Sequence, residues 1–293
     1  MRWRLADRTL DLEQPLAAGI VNVTADSMFE GARSGTAQQA IADGLELVEH
    51  GFDMLDVGAV AARSGPPVGV EEEAAALIPA IEGLAGAGVP VSADTFSVEV
   101  ARRALAAGAV AVNDISGGSE EMFELVAGSG CGYVLMHIEG PPRVDRPPRR
   151  YGDVVDHLKS WFEGRVEAAS RLGVAEEQIA IDPGLDFDLT TEQDMEVLRR
   201  LGELRSLGLP LYVSLSRKDF LGAVLAGSWE GRLPAGEREW GTVAATALAV
   251  REGADVLRLH DRSALQAVRV AGAVVRGDLV AYRPTNSPQR SSS

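Results

Sequence analysis

The sequence predicts a single (β/α)8 TIM barrel, an α/β fold, with a short N-terminal strand pair. Eight short apolar runs recur along the chain, as expected of parallel strands that are buried on both faces. A stretch of helical character separates successive runs, which indicates parallel βαβ units. No GxGxxG follows the first run, so an open dinucleotide-binding sheet loses its main support. Each run finishes on a polar or charged residue, namely Asn22, Asp56, Asp94, Asn113, His137, Asp182, Ser216 and His260.

The remaining elements fit one barrel without a linker. Residues 1–15 predict a short polar strand pair that covers the amino-terminal end of the barrel. The barrel therefore spans 1–276, and 277–293 form a C-terminal extension with a disordered tail. Each predicted helix is followed by or ends at a glycine, the usual residue after a helix C-cap. These helices are predicted at 36–51, 70–88, 97–108, 154–173, 192–208 and 240–253.

Composition narrows the classes of partner. A chain of 293 residues with 46% hydrophobic and 24% charged residues can form a packed core. The formal net charge of −15 argues against general nucleic-acid binding, which needs clustered Lys and Arg. No apolar run is long enough to span a membrane, and the N-terminus lacks a secretory signal. We expect a cytoplasmic protein that binds small molecules and neither nucleic acid nor membranes.

Three of the strand-end residues share one kind of chemistry. The carboxyl ends of barrel strands meet on the face where such folds keep their active sites. Asp94, Asn113 and Asp182 can accept hydrogen bonds from a flat ring with adjacent N–H and NH2 donors, such as an aminopyrimidinone. The ordinary alternative is structural, because Asp and Asn are common where strands turn into loops and Asp182 precedes a proline.

A second group is cationic and follows the seventh and eighth strands. Loops at these positions often form a phosphate site in barrels, and Arg matches the oxygens of a phosphate well. Arg258 and His260 alternate along the eighth strand, so their side chains point the same way. The group consists of Arg217, Lys218, Arg258 and His260, with Arg63 from an earlier loop.

Two alternatives to this anion site are a structural role for its residues and a metal site. Arg258 could instead form a buried ion pair with Asp255 or Glu252. His137 could orient a loop as easily as act in chemistry. The chain has only four histidines, none at HxH or HExxH spacing, so the spacing gives no support for zinc. A Mg²⁺ ion that bridges a diphosphate and an oxygen ligand such as Asn22 remains compatible.

At these residues the chain resembles the dihydropteroate synthase family over about 17–276. GIVNVTADS (19–27) is similar to the family's first signature, a strand entering an NVTPDSF loop. Six further motifs occur in family order and at family spacing, and the ordered set is far more specific than any single motif. They are SADT (92–95), NDISGG (113–118), LMH (135–137), DPG (182–184), SRKDF (216–220) and LRLHD (257–261).

The resemblance implies a transferase of folate biosynthesis. The family condenses 6-hydroxymethyl-7,8-dihydropterin diphosphate with 4-aminobenzoate and releases diphosphate with the help of Mg²⁺. It implies that Asn22 binds the metal and the diphosphate, with Arg63, Arg258 and His260 on the diphosphate. Because a cationic methylene develops as diphosphate leaves, positioning and charge stabilisation carry the catalysis, for which Lys218, Arg63, Arg258 and His260 are the candidates. The implied pterin-binding residues are Asp94, Asn113, Met136, Asp182, Phe187 and Lys218.

The chain departs from the family pattern mainly around the arylamine and the mobile loops. GGESTRPG becomes GAVAARSG (58–65), and DPGIGFGKT becomes DPGLDFDLT (182–190). The Ser after the SRK motif becomes Asp219 at the start of a helix, where the family receives the benzoate carboxylate. A helix start favours an anion, but Asp219 itself supplies one, so a second carboxylate should be repelled. The altered acceptor subsite consists of Met28, Ala62, Ser64 and Asp219.

These departures leave alternatives open. A divergent paralogue would bind the pterin diphosphate but use another acceptor or have little activity, and a non-catalytic pterin-binding protein is a third class. Pterin-binding barrels that transfer methyl groups from methyltetrahydrofolate are a fourth, disfavoured because methyl transfer expels no diphosphate. Family likeness also implies a homodimer through the late helices. Neither the true acceptor nor sulfonamide sensitivity can be read from the sequence.

Overall fold

The computed structural model describes residues 1–23, 35–62, 65, 67–144 and 146–278. Within them, eight parallel strands form the predicted barrel, one at each apolar run. The strands are β1 (Arg2–Arg4), β2 (Thr9–Asp11), β3 (Leu16–Asn22), β4 (Met54–Gly58), β5 (Val91–Asp94), β6 (Ala111–Asp114), β7 (Gly132–Met136), β8 (Ile179–Asp182), β9 (Tyr212–Ser214) and β10 (Val256–Leu259).

The barrel strands pair with their neighbours in chain order. Hydrogen bonds connect β8-β7-β6-β5-β4-β3-β10-β9, and all of these pairs are parallel. A parallel bridge between Ile181 and Leu211 joins the two ends of this order and closes the barrel. The register places Gly58 beside Asp94, and Asp94 beside Asn113. The polar strand ends therefore lie side by side at one mouth of the barrel.

Nine helices are described in the same ranges and surround the sheet. Side chains of Thr36, Ser97, Ser119, Asp153 and Thr190 cap five of them by accepting a backbone N–H. The helices are α1 (Ala37–Glu49), α2 (Val70–Gly86), α3 (Val98–Ala106), α4 (Glu120–Ser129), α5 (Val154–Arg171), α6 (Thr191–Arg199), α7 (Asp219–Ala226), α8 (Glu239–Arg251) and α9 (Arg262–Arg276).

One predicted helix is shorter than expected. The sequence predicts a continuous helix over 192–208, but α6 ends at Arg199 and a 3-10 helix follows over Leu201–Leu207. Arg200 takes a non-helical conformation at the junction and binds both Asp153 and Glu203. Gly202, which has a low helix propensity, comes directly after the break.

The N-terminal strand pair covers the amino-terminal end of the barrel, as predicted. β1 and β2 are antiparallel, and Trp3 of β1 is completely buried. Its indole N–H donates to the backbone oxygen of Gln178 at 2.8 Å, and its ring packs edge-on against Tyr212. Apolar packing closes this end of the barrel. The active site is therefore expected at the opposite end, where the polar strand ends lie. None of the described helices is both long and apolar enough to cross a membrane.

Candidate active site

A cavity opens at the carboxyl ends of the barrel strands and collects most of the predicted site residues. Ile115, Met136 and Ile138 form an apolar cluster beside it, against which Ala62, Phe96 and Phe187 pack. Met28, Arg63 and Ser64, as well as the predicted tail over 279–293, lie outside the described residues. The predicted site residues that line the cavity are Asn22, Ala62, Asp94, Asn113, Met136, Asp182, Phe187, Arg217, Lys218, Arg258 and His260.

Asp56 organises the floor of this cavity. Its carboxylate is completely buried and accepts hydrogen bonds from Ser92 Oγ at 2.5 Å and from Asn113 Nδ2 at 3.0 Å. It also accepts from Arg258 Nε at 2.5 Å. Asp56 therefore orients the carboxamide of Asn113 and the guanidinium of Arg258 together. The sequence pattern places Asp56 at a strand end, but its role as the shared partner was missed.

Arg258 is held between two carboxylates. Besides Asp56, its Nη2 donates to Asp94 Oδ2 at 2.6 Å. Burial lowers the pKa of Arg258, but the two carboxylates outweigh it and raise the pKa. The sequence alternative of a pair with Asp255 is wrong, because Asp255 lies near Arg205 at 3.3 Å instead. Arg258 thus carries a buried ion pair as well as facing the cavity, and its contact with diphosphate stays a prediction.

Two of the aspartates that line the cavity have a strongly raised pKa. Burial raises the pKa of Asp94 to about 7, although the charge of Arg258 opposes the shift. Burial likewise raises the pKa of Asp182 to about 6, against the backbone N–H of Gly184, which lies 2.8 Å from Asp182 Oδ1, and the charge of Lys218. Both groups can therefore exchange protons near neutral pH, as is common in active sites.

The surroundings of His260 favour its neutral form. Burial, followed by the charge of Arg258, lowers its pKa to about 3. Its Nδ1 lies 2.9 Å from Ser216 Oγ, and its Nε2 lies 3.4 Å from Asn22 Nδ2. Desolvation and a neighbouring arginine thus disfavour the positive charge expected of His260, and its contact with a diphosphate stays a prediction. An uncharged imidazole can still donate one hydrogen bond to a phosphate oxygen.

The other two predicted cations have different surroundings. Arg217 makes a two-pronged ion pair with Asp261, at 2.6 and 3.0 Å, and donates to a backbone oxygen at Ala235. This arrangement fixes the loop after β9 to the loop after β10. Lys218 Nζ lies 4.8 Å from the centre of the Phe187 ring, which places an ammonium and an aromatic face together at the cavity wall.

The start of α7 is occupied by a carboxylate of the chain itself. Asp186 accepts hydrogen bonds from the backbone N–H groups of Asp219 and of Phe220, the latter at 3.0 Å. Asp186 and Asp188 both have positive φ, 70° and 58°, which costs an L-residue about 1 kcal/mol or more. Asp188 offsets that cost with an ion pair to Arg146 at 2.8 Å. These two aspartates replace the small positions of the family segment.

Asp219 does not supply the anion at this helix start, contrary to the sequence expectation. Its carboxylate pairs with Arg238 at 2.6 Å and lies 3.6 Å from Arg232. Arg238 is buried and also donates to the backbone oxygen of Arg217. Two arginines therefore compensate the charge of Asp219. Asp219 is thus not expected to repel the carboxylate of an incoming substrate.

Fold and site together define a (β/α)8-barrel enzyme with a buried acidic pocket suited to a ring that carries N–H donors. A family model described as pterin binding enzyme matches residues 18–260. The dihydropteroate synthase of Synechocystis is 39% identical over 88% of this chain and 89% of its own length. The chain belongs to the dihydropteroate synthase family.

Solved structures agree with this assignment. The dihydropteroate synthase of Stenotrophomonas maltophilia, with imidazole bound in its active site, has a TM-score of 0.82 and 39% identity over 93% of this chain and 98% of that chain. The Xanthomonas albilineans enzyme in complex with 7,8-dihydropteroate has a TM-score of 0.77 and 36% identity, with coverage of 92% and 98%.

Proposed function

We propose that this protein condenses 6-hydroxymethyl-7,8-dihydropterin diphosphate with 4-aminobenzoate to form 7,8-dihydropteroate. The observation that carries the proposal is the set of Asp94, Asn113 and Asp182 at one cavity, in a chain of this family. In the reaction a bond forms between the pterin methylene carbon and the amine nitrogen. The bond from that carbon to the diphosphate oxygen breaks, and the amine loses a proton.

The pterin ring is the substrate that this pocket suits best. The carboxylates of Asp94 and Asp182 accept from ring N–H and NH2 donors, and the Asn113 carboxamide, oriented by Asp56, adds a further hydrogen bond. Met136 and Phe187 provide apolar contact for the ring faces, with Lys218 near Phe187. Such a fixed array places the methylene carbon for attack, which is the main catalytic contribution where no side chain acts as nucleophile.

The leaving diphosphate requires donors and a cation. His260 and Asn22 lie together at the cavity, and we propose that they contact the diphosphate with Arg258 and Arg63. Mg²⁺ sites that include substrate phosphates need only one or two protein oxygens, and the Asn22 carboxamide supplies one, so the residues fit this ion. When bound, Mg²⁺ would offset the negative charge that develops on the departing diphosphate.

The acceptor is 4-aminobenzoate in this proposal, despite the altered loop residues. Because Asp219 is compensated by Arg238 and Arg232, its charge gives no reason to reject a benzoate. Asp186 already accepts from the backbone N–H groups at the start of α7, so we propose that the benzoate carboxylate binds beside that helix start and not on it. Replacing Asp219 with Ser should therefore not improve use of 4-aminobenzoate, and should lower stability because buried Arg238 loses its partner. A fall in KM for 4-aminobenzoate in this variant would contradict the reasoning.

Turnover tests the function directly. The protein is incubated with the pterin diphosphate, Mg²⁺ and 4-aminobenzoate, and dihydropteroate is measured by mass spectrometry. We expect steady turnover, lost by about 100-fold or more in Asp182→Asn and unchanged in Asp156→Asn, an exposed matched control on α5. Pterin binding without product would favour another acceptor, and no pterin binding would contradict the proposal.

We also propose a homodimer through α8 and α9. The two helices pack against each other and carry exposed apolar side chains, with Trp240 75% and Val274 74% exposed. Val270, four residues before Val274 on the same helical face, is 65% exposed. Exposed apolar surface of this kind marks association sites. Light scattering should give twice the chain mass, and Trp240→Glu should give monomers. A monomeric wild-type protein would contradict the proposed homodimer.

The cytoplasmic location stays a prediction.

A further inference from the structure

Three potential metal ligands converge beside the pterin pocket, at the loop that follows β7. His137 comes directly after Met136 of the pocket wall, Glu139 lies two residues further, and His157 is in the first turns of α5. The two histidine Nε2 atoms are 3.3 Å apart. Glu139 Oε1 lies 3.0 Å from Nε2 of His157 and 3.7 Å from Nε2 of His137.

These separations match the edge of a tetrahedral coordination shell. Nitrogen and oxygen ligands at about 2.0–2.1 Å from zinc lie about 3.3 Å from one another. Two imidazoles and one carboxylate form the ligand set that leaves a fourth position for water. We propose that His137, Glu139 and His157 bind one divalent transition-metal ion, with Zn²⁺ the best match. None of these three residues is among those proposed above to hold a substrate or Mg²⁺.

Hydrogen bonding alone does not account for the cluster. A proton on His157 Nε2 can point to His137 or to Glu139, but not to both, and the 3.7 Å separation of His137 from Glu139 is too long for a hydrogen bond. The other ring nitrogen of His137, Nδ1, is buried and forms no hydrogen bond with the described residues. A cation contacts all three ligand atoms at once, which a single proton cannot do.

Neighbouring side chains hold the three ligands in place. Tyr151 stacks on the His157 ring at 3.8 Å between centres, and its hydroxyl donates to Glu139 Oε1 at 3.3 Å. Trp161 packs edge-on against His137 at 4.9 Å. Such orientation of ligands before binding is typical of metal sites.

The burial of the cluster suits entry of an ion from solvent. The side chain of His137 is completely buried, whereas those of Glu139 and His157 are 19% and 27% exposed. An ion bound there would tie the loop after β7 to the first turns of α5. Because Met136 and Ile138 flank His137 in the pocket wall, the ion would act by stiffening that wall and not by touching substrate.

Zinc binding to the purified protein tests the site. Metal-free protein is dialysed against Zn²⁺ alone, with bound metal measured by mass spectrometry, and Co²⁺ is added to a second sample. We expect one Zn²⁺ per chain and the intense visible absorption of tetrahedral Co²⁺. His157→Gln and Glu139→Gln should each weaken Zn²⁺ binding by about 100-fold or more.

The control is His50→Gln, which changes an exposed histidine at the end of α1 and should bind as the wild type does. Absence of stoichiometric Zn²⁺ in the wild type would overturn the proposal, as would equal binding by wild type and His157→Gln. The titration contains neither pterin nor 4-aminobenzoate, so its failure would leave the proposed synthase function untouched.

Discussion

Removal of the Asp56 carboxylate is the perturbation with the largest expected effect in the cavity floor. Asp56→Ala takes away the acceptor of Arg258 Nε, Asn113 Nδ2 and Ser92 Oγ at once. Breaking a buried ion pair by removing one partner costs about 3–5 kcal/mol of unfolding free energy. Because Arg258 keeps its second partner, Asp94, we expect about 3 kcal/mol, at the lower end of this range.

A second variant separates charge from shape. Asp56→Asn keeps an oxygen that accepts from Arg258 and Asn113 but removes the negative charge, so we expect a loss of about 1.5 kcal/mol. Both variants should also weaken pterin binding, because the Asn113 carboxamide loses its fixed orientation in Asp56→Ala and the charge balance of Arg258 changes in both.

Urea unfolding followed by tryptophan fluorescence measures the stability change, and calorimetric titration measures pterin affinity. Glu71→Ala serves as the control, because Glu71 pairs with Arg103 on the surface with 82% of its side chain exposed, and should leave the midpoint unchanged. An Asp56→Ala protein within about 1 kcal/mol of the wild type would refute the view that Asp56 supports Arg258.

The remaining predictions concern backbone geometry and pH. Gly184→Ala should destabilise the fold by about 2–5 kcal/mol, because φ is 70° and the new Cβ would clash with the backbone oxygen of His137. Gly164→Ala, in open space on α5, should instead stabilise it by about 0.5–1 kcal/mol, and urea midpoints compare the two. Pterin affinity should fall as pH drops through about 7 and about 6, where Asp94 and Asp182 gain protons and lose the negative charge that strengthens hydrogen bonds from ring N–H groups. Titration calorimetry across this pH range measures whether pterin affinity falls or rises on acidification. Asp182→Asn should remove the fall in affinity near pH 6. Affinity that rises on acidification would contradict the pterin assignment.

Much of the fold follows from local sequence. The apolar runs at Leu16–Asn22 and Ile179–Asp182 are strands because continuous apolar residues bury both faces of a parallel sheet. Gly51 and Gly88 have positive φ and directly follow the C-cap residues of α1 and α2, as predicted for helix ends. The break at Arg200 could not be predicted in the same way, because it depends on an ion pair with Asp153 from a distant helix.

The sequence places many of the cavity-lining residues at strand ends but does not predict their contacts. The strand-end rule brings Asp94, Asn113 and Asp182 to one cavity without knowledge of any distance. Which carboxylates pair with Arg258 depends on barrel closure, since Asp56 is 202 residues away in the chain. The charge state of His260 was also beyond the sequence, because its pKa depends on burial.

The His137–Glu139–His157 cluster illustrates the same limit. Its two histidines are 20 residues apart, so no short ligand motif indicates them. They meet because α5 places His157 beside the residues that directly follow β7. Only the three-dimensional path of this loop could show that a carboxylate and two imidazoles share one point.

The coupling between substrates tests the central claim most directly. In a single reaction mixture with Mg²⁺, the pterin diphosphate and 4-aminobenzoate, the amounts of dihydropteroate formed and diphosphate released are both measured. The proposed condensation predicts equal amounts throughout the time course, because each carbon–nitrogen bond formed accompanies one carbon–oxygen bond broken. Diphosphate released without dihydropteroate would show that water or another acceptor takes the pterin, and would contradict the assigned reaction.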